Sequence, residues 1–296
     1  MVRFEVPDVD YTRYTNRQLL ALPLATLAVA LLILAGWYVT TGAPVALGVD
    51  FTGGTELQVQ TDDSAEEVRA TFADTDYPVE EVQAIGAGGG GDEYIVTFQA
   101  TEDRQVREIS AAAEEAGYEV QSSQSRSPTF GADAQQQALI GVVVAFAGMS
   151  LVVFVLFRSF VPSLAVVASA FSDVVIPIAL MNLFGIELSL GTVAALLMLI
   201  GYSVDSDILL NNHVLRRSGD FYESTYRARR TGVTMTLTSI AAMTVMTVVS
   251  SPLVFGIPLL PEIGLILVFG LTADLMNTYL LNVSLLRYYK YEGVAQ

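Results

Sequence analysis

Cysteine is absent, and histidine, tryptophan and lysine occur once each, as His213, Trp37 and Lys290. Without cysteine there are no disulfides and no thiolate ligands, and one histidine cannot build a histidine-rich centre. Neither a metal nor a cofactor is expected. Positive charge is scarce as well: 15 Lys and Arg face 31 Asp and Glu, for a net charge of −16. That imbalance argues against nucleic acid as a partner, because phosphate binding needs basic patches. No nucleophile–base pair or P-loop stands out, so the chain does not read as an enzyme. Two short matches mislead. Gly86-Ala87-Gly88-Gly89-Gly90-Gly91 has G-x-G-x-x-G spacing but opens no helix, so it reads as a flexible loop. Asn282-Val283-Ser284 spells a glycosylation sequon inside an apolar span, out of reach of modification.

Apolar sequence, by contrast, is abundant. The 296 residues are 52% hydrophobic, and uncharged runs of about 20 residues, enough for a helix to cross a hydrocarbon core of roughly 30 Å, recur along the chain. The spans read as 19–42, 138–157, 162–184, 190–211, 231–249 and 263–286. Lipid is therefore an expected contact. The first span is too long for the apolar region of a cleaved signal peptide, and Trp37 and Tyr38 at its end suit a membrane interface. Between residues 43 and 137 lie 19 of the acidic residues and only four arginines, leaving 12 acids and 11 basic residues elsewhere. One soluble segment thus carries the charge. An acidic, lysine-poor surface fits adaptation to high salt, where charge maintains solubility; the competing reading is a domain that repels or binds something by charge.

Basic residues in short loops set orientation. Arg3, Arg13 and Arg17 precede the first span, Arg158 follows the second, and Arg216, Arg217, Arg227, Arg229 and Arg230 cluster after the fourth. Arg287 and Lys290 close the tail. All fall on one side if residues 1–18 and 290–296 are cytoplasmic, which puts the acidic segment 43–136 outside the cell membrane. Within it the pattern predicts strands at 55–60, 79–85, 94–99 and 118–123, with helices at 63–72 and 102–116. This β-α-β-β-α-β order is the ferredoxin-like one. The expected fold is an α-helical polytopic membrane protein, with a five-helix membrane part at 137–289 and one extracytoplasmic α+β domain between the first two spans.

Two motifs narrow this further. Gly48-Val49-Asp50-Phe51-Thr52-Gly53-Gly54-Thr55 follows the first span, and Gly201-Tyr202-Ser203-Val204-Asp205-Ser206-Asp207 lies in the fourth. With the helix count and domain placement they resemble the SecF family of protein-export membrane subunits, within the resistance-nodulation-division (RND) superfamily. The resemblance implies a six-helix unit that is half of an RND plan. It also implies a SecD-type partner, association with the Sec translocon, and assistance to unfolded secretory polypeptides, with proton or sodium flow driving the outside domain. Two other roles compete, an RND-type exporter of small molecules or lipids and a translocon scaffold without coupling. Arg230, beside Thr231, matches the family's Arg-Thr step, whose arginine is implicated in activity. Bacterial members read Gly-Tyr-Ser-aliphatic-Asn-Asp-Thr in the fourth span. Here Asp205 stands for Asn, Ser206 for Asp and Asp207 for Thr, moving the carboxylate by one residue either way, about 100° around a helix. Asn212-His213 replaces a later Asp-Arg pair.

Read physically, Gly53 and Gly54 suit a sharp exit from helix to sheet. Gly201 is expected to let a neighbouring helix approach. Each charge at the bilayer centre costs at least ~2.5–3.5 kcal/mol, so acids there suggest a purpose. Ser203, Asp207 and Asn211 share one face of the fourth span, with Asp205 on another. Asp173 lies in the third span, and Asp274, with Asn277 and Thr278 beyond it, in the sixth. No basic residue lies inside any span, so these acids are protonated, hydrated, cation-bound or paired with a partner. Asp205, Asp207 and Asp274 are the first candidates to line an ion path, with Asp173 and Arg230 as further ones. The competing role for each is a helix-packing hydrogen bond. Thr231, Thr234, Thr236, Thr238, Thr244 and Thr247 in the fifth span suit packing or a hydroxyl wire.

Overall fold

The computed structural model describes residues 10–73, 75–88, 91–216, 220–251 and 254–291. Arg3, Arg217, the Gly89-Gly90 turn and residues 292–296 of the tail lie outside these. A capping box between Thr15 and Gln18 starts α1 (Asn16–Thr41), and Gly42 ends it in the left-handed conformation. The chain then makes one turn, α2 (Val49–Thr52), and enters the α+β domain: β1 (Gly54–Thr61), α3 (Ala65–Thr71), β2 (Val79–Gly88), β3 (Gly91–Phe98), α4 (Asp103–Glu115) and β4 (Glu119–Arg126). The strand order is β2-β3-β1-β4, and each neighbouring pair is antiparallel. This is the ferredoxin-like arrangement predicted from the pattern.

Alternation along β1 decides which face is buried. Leu57 and Val59 turn inward with Val96 and Phe98 of β3, under Val68 and Phe72 from α3's side and Ile109 of α4. The intervening Glu56 and Gln58 point to the opposite, helix-free face. Helix α3 begins two residues later than the sequence predicts because Ser64 caps it, with Glu67 closing the box. Asp63 is spent elsewhere, accepting from the Tyr118 hydroxyl at 2.8 Å.

Six helices are long and apolar enough to cross a membrane. After α1 come α5 (Pro128–Phe157), α6 (Phe160–Phe184), α7 (Leu190–Arg216) and α8 (Phe221–Ser250), and then a sixth span built in three parts. These are α9 (Leu260–Met276), a π-helical segment Asn277–Asn282, and α10 (Val283–Tyr291). α5 and α8 each start ten residues before their apolar runs. Ser127 with Pro128 caps the first, and Asp220 caps the second, so polar turns project beyond the hydrocarbon-length segments. α6, α7 and α9 form the inner bundle, and α1, α5 and α8 are mostly bare.

The glycines of the first motif join domain to bundle. Gly53 (φ 79°) and Gly54 (φ 146°) hold backbone that side-chain-bearing residues resist. A Cβ on Gly53 would lie 2.8 Å from Pro128 N, and one on Gly54 2.7 Å from Phe98 O. Gln135 of α5 donates to Phe51 O at 2.7 Å, fastening the turn to the helix.

Candidate ion-handling site in the membrane

The inner helices carry polar side chains at one level. Along α7, Leu196 and Leu199 belong to an apolar cluster near the α+β domain, then come Ser203, Ser206 and Asp207, then Leu210 and Val214 of a second cluster at the far end. The sixth span repeats the order with Ile266 and Leu267, then Asp274, then Val283 and Leu286. α6 runs the other way and places Asp173 just before Val174 of the first cluster. Asp173, Asp207 and Asp274 are each at most 1% exposed, so a single polar layer is sealed on both sides.

Every carboxylate there has neutral donors. Ser203 Oγ and Asn277 Nδ2 each donate to Asp173 at 2.5 Å. Thr278 Oγ1 and Asn282 Nδ2 reach Asp207 Oδ1 at 2.8 Å. Ser206 Oγ lies 2.7 Å and Thr278 Oγ1 3.1 Å from Asp274 Oδ1. The hydroxyls of Ser206 and Thr278 are themselves 3.1 Å apart. Thr278 has one proton and two carboxylate neighbours, so only a proton on a carboxyl satisfies both contacts at once. Asp207 Oδ2, Asn277 Oδ1 and Asn282 Oδ1 are buried without hydrogen-bond partners. Among the described residues no ion pair reaches the layer. The arrangement is an oxygen-rich pocket in which carboxyl and hydroxyl groups lie within hydrogen-bond reach of one another.

Sequence reasoning and geometry differ at several positions. Asp205 is exposed and apart from the other acids; two residues from Asp207, it points about 200° away around the helix. Asp173 takes the place beside Asp207 and Asp274 that was expected of it. Gly201 and Tyr202 also face outward, and nothing lies within 4 Å of a Cβ on Gly201. The close helix approach occurs instead at Gly270, where a Cβ would meet Leu199 at 2.2 Å. Asn211 is buried but donates to Pro162 O at 3.3 Å, tying α7 to α6. Arg230 is exposed on α8, away from the layer. Thr231, Thr234, Thr238, Thr244 and Thr247 each donate to a carbonyl of their own helix, as expected of packing hydroxyls. Ser206 and Asn282 were missed as site residues. The run Asp274, Thr278, Asn282 at four-residue steps was the available signal.

The first motif serves a different place. Asp50 accepts from Leu190 N at 3.0 Å, capping α7, and lies 3.8 Å from Arg126. Nearby, the helix-free face of the sheet opposes the rim of the bundle across a cleft lined by Glu56, Glu81, Arg126, Glu187 and Glu262. The carboxyl of Glu187 is pushed up to about 7, first by burial and then by Glu81, Glu80, Glu262 and Glu56 around it.

Comparison with known proteins accords with this plan. Residues 105–292 match the family model for the C-terminal part of the protein-export membrane proteins SecD and SecF, and residues 38–65 match the SecD/SecF GG motif. The chain is 67% identical to the protein-export membrane protein SecF of Haloferax volcanii, over 296 residues and the full length of both. It is 63% identical to that of Haloquadratum walsbyi, again over both full lengths. With that of Pyrococcus furiosus it shares 40% identity, over 94% of this chain and 93% of the relative. The crystal structure of SecDF, a translocon-associated membrane protein from a Thermus species, superposes with TM-score 0.73 at 21% identity. That match covers 96% of this chain but only 39% of the solved one, so this chain spans less than half of the SecDF polypeptide. Fold and polar layer together define a multi-pass membrane protein built on the SecD/SecF plan. The chain belongs to the SecF family, accessory subunits of Sec-dependent protein export, and its acidic, lysine-poor composition fits its similarity to proteins of halophilic archaea.

Proposed function

We propose that this chain joins a SecD-type subunit and a Sec translocon, and that ion flow through the Asp173–Asp207–Asp274 layer drives its assistance to unfolded polypeptides. The observation that carries the reading is three carboxylates at one level of a membrane bundle, with no ion pair to a basic side chain among the described residues. A scaffold has no use for so costly an arrangement. Both termini face the cytoplasm in this reading, as the arginine distribution supports, and the α+β domain meets the emerging chain outside. The exposed surfaces support a partner on α7. On α1 and α5 they are large and aliphatic, as at Leu22, Leu32, Val39, Leu139 and Leu151, and suit lipid. The exposed face of α7 carries Leu190, Ala194, Met198, Gly201, Tyr202 and Asp205, and its charged Asp205 and small Ala194 and Gly201 suit another protein's helices better than lipid.

The test is pulse-chase secretion of a Sec-dependent protein in cells that lack this chain and in cells carrying Asp207→Asn with Asp274→Asn at parental protein level. Slow export in both is expected. Normal export in the carboxamide strain would remove the coupling and leave a holding role, and normal export in the deletion would remove the translocon role. Asp205→Asn is expected to weaken co-purification with the SecD-type subunit; unchanged recovery would move the partner off this face of α7.

A further inference from the structure

The polar layer needs one side that opens, and one residue of the far-end seal differs from the rest. Tyr279 belongs to the π-helical segment that also supplies Asn277, Thr278 and Asn282 to the acids. Its ring packs in the apolar cluster of Tyr11, Leu210, Phe221, Ala228 and Leu286, at the end of the bundle away from the α+β domain. It stands within electrostatic reach of Asp274 and Asp207 on one side and of Tyr11 and Arg229 on the other. Its hydroxyl is buried without a hydrogen-bond partner, a situation that ordinarily costs about 1–3 kcal/mol. The ring fits there because α8 carries Gly232 opposite it, where a Cβ would lie 2.0 Å from the hydroxyl and 3.3 Å from Cζ. Apolar neighbours of the ring need no such glycine.

We propose that Tyr279 is the gate of the polar layer on the side of the N-terminal segment, closed by insertion of its ring against Gly232 and opened when α8 and the π segment separate. The seal is steric, because the ring fills the space between the layer and the far end. The unpartnered hydroxyl finds a partner only when the gate leaves its slot, which keeps the closed state from being too stable. The inference rests on the reading of the three carboxylates as ion-handling groups, but its test measures access and does not depend on export.

The natural absence of cysteine allows a single reporter. Ser206→Cys in the full chain, in membranes with its natural partners, is treated with a charged, membrane-impermeant thiol reagent from either face. With Tyr279 present, labelling is expected to be slow from both faces. Tyr279→Ala should speed it from the face of the N-terminal segment alone, by at least about tenfold if the open state is ordinarily a minor one of roughly 10% or less. Tyr279→Phe should stay slow. Gly232→Ala should label fast, because the added methyl collides with the hydroxyl. Gly232→Ala combined with Tyr279→Phe should be slow again, since the colliding atom is gone. This rescue separates a gate from general loosening. The inference is overturned by fast labelling when Tyr279 and Gly232 are both intact, by slow labelling in Tyr279→Ala, by acceleration from the opposite face, or by a double variant as fast as Gly232→Ala alone. Export that stays normal in the carboxamide strain, with labelling as expected, would sink the coupling reading and leave the gate standing.

Discussion

Thr278 shows how few groups the polar layer depends on. One hydroxyl links Asp207 at 2.8 Å to Asp274 at 3.1 Å. Thr278→Val keeps the shape and deletes the link. Export is expected to slow toward the rate of the carboxamide strain, with the protein's level and melting behaviour little changed; secretion kinetics alongside a thermal melt would check this. The opposite outcome belongs to Gly54. There the backbone sits at φ 146° and an added Cβ would lie 2.7 Å from Phe98 O. Gly54→Ala should therefore lower stability by at least ~1–3 kcal/mol, the usual cost of such backbone strain, read as a lower melting temperature and reduced protein level. Asp173 teaches a third lesson. Nothing in its immediate sequence sets it above Asp205: Asp173 is a lone acid in an apolar run, and Asp205 has Asp207 two residues on. Only the packing of α6 against α7 and the sixth span puts Asp173 inside and leaves Asp205 on the surface.

Among the elements, those with strong local signals were readable in the sequence. Alternation in 55–60 and the cap-to-glycine frame around 102–117 gave strands and helices of the α+β domain to within a few residues. The apolar runs gave all six spans. The lengths of α5 and α8 were not legible, because their first turns are polar and continue helices on the strength of the Ser127 and Asp220 caps. Nor was the π segment, since Asn277-Thr278-Tyr279-Leu280-Leu281-Asn282 has no signature apart from its environment. Yet that register places Asn277 on Asp173 and Asn282 on Asp207 together. Further along the same span, Arg287 donates to Tyr11 O at 3.0 Å and Tyr14 O at 2.9 Å. Arg287→Ala removes both bonds and is expected to raise amide hydrogen exchange over residues 10–15 without affecting the sheet. Unchanged exchange there would mean that other contacts hold the N-terminal segment.

At the scale of the molecule, the α+β domain and the bundle face one another across an acidic cleft. Gln83 Nε2 donates across it to Glu262 Oε1 at 3.0 Å, while Glu56, Glu81 and Glu187 oppose the closed arrangement by repulsion. Asp50, Glu80 and Arg126 complete the charged groups around it. Glu187 holds its proton up to about 7, above the ordinary 4.5. A group raised in this way favours the closed cleft when protonated. Its contribution is complete below about 4.5, falls as pH rises toward about 7, and is absent above. Spin labels on cysteines introduced at Gln58 and Pro258 should therefore report a shorter mean distance at the acid end of that window than above it. Concentrated salt should narrow the difference by screening, and Glu187→Gln should reduce it, leaving the part due to Glu56, Glu81 and Glu262, whose carboxyls burial also pushes up. A distance insensitive to pH would assign the closed cleft to the backbone junction at Gly48–Gly54 alone. The clasp of Arg287 on Tyr11 and Tyr14 sets a different kind of limit, one of time. It joins positions more than 270 residues apart, so while the ribosome is still making the sixth span, Tyr11 and Tyr14 lack the arginine that clasps them. Their segment is therefore among the last to be fixed, and until then it stays open to whatever factor attends the nascent protein.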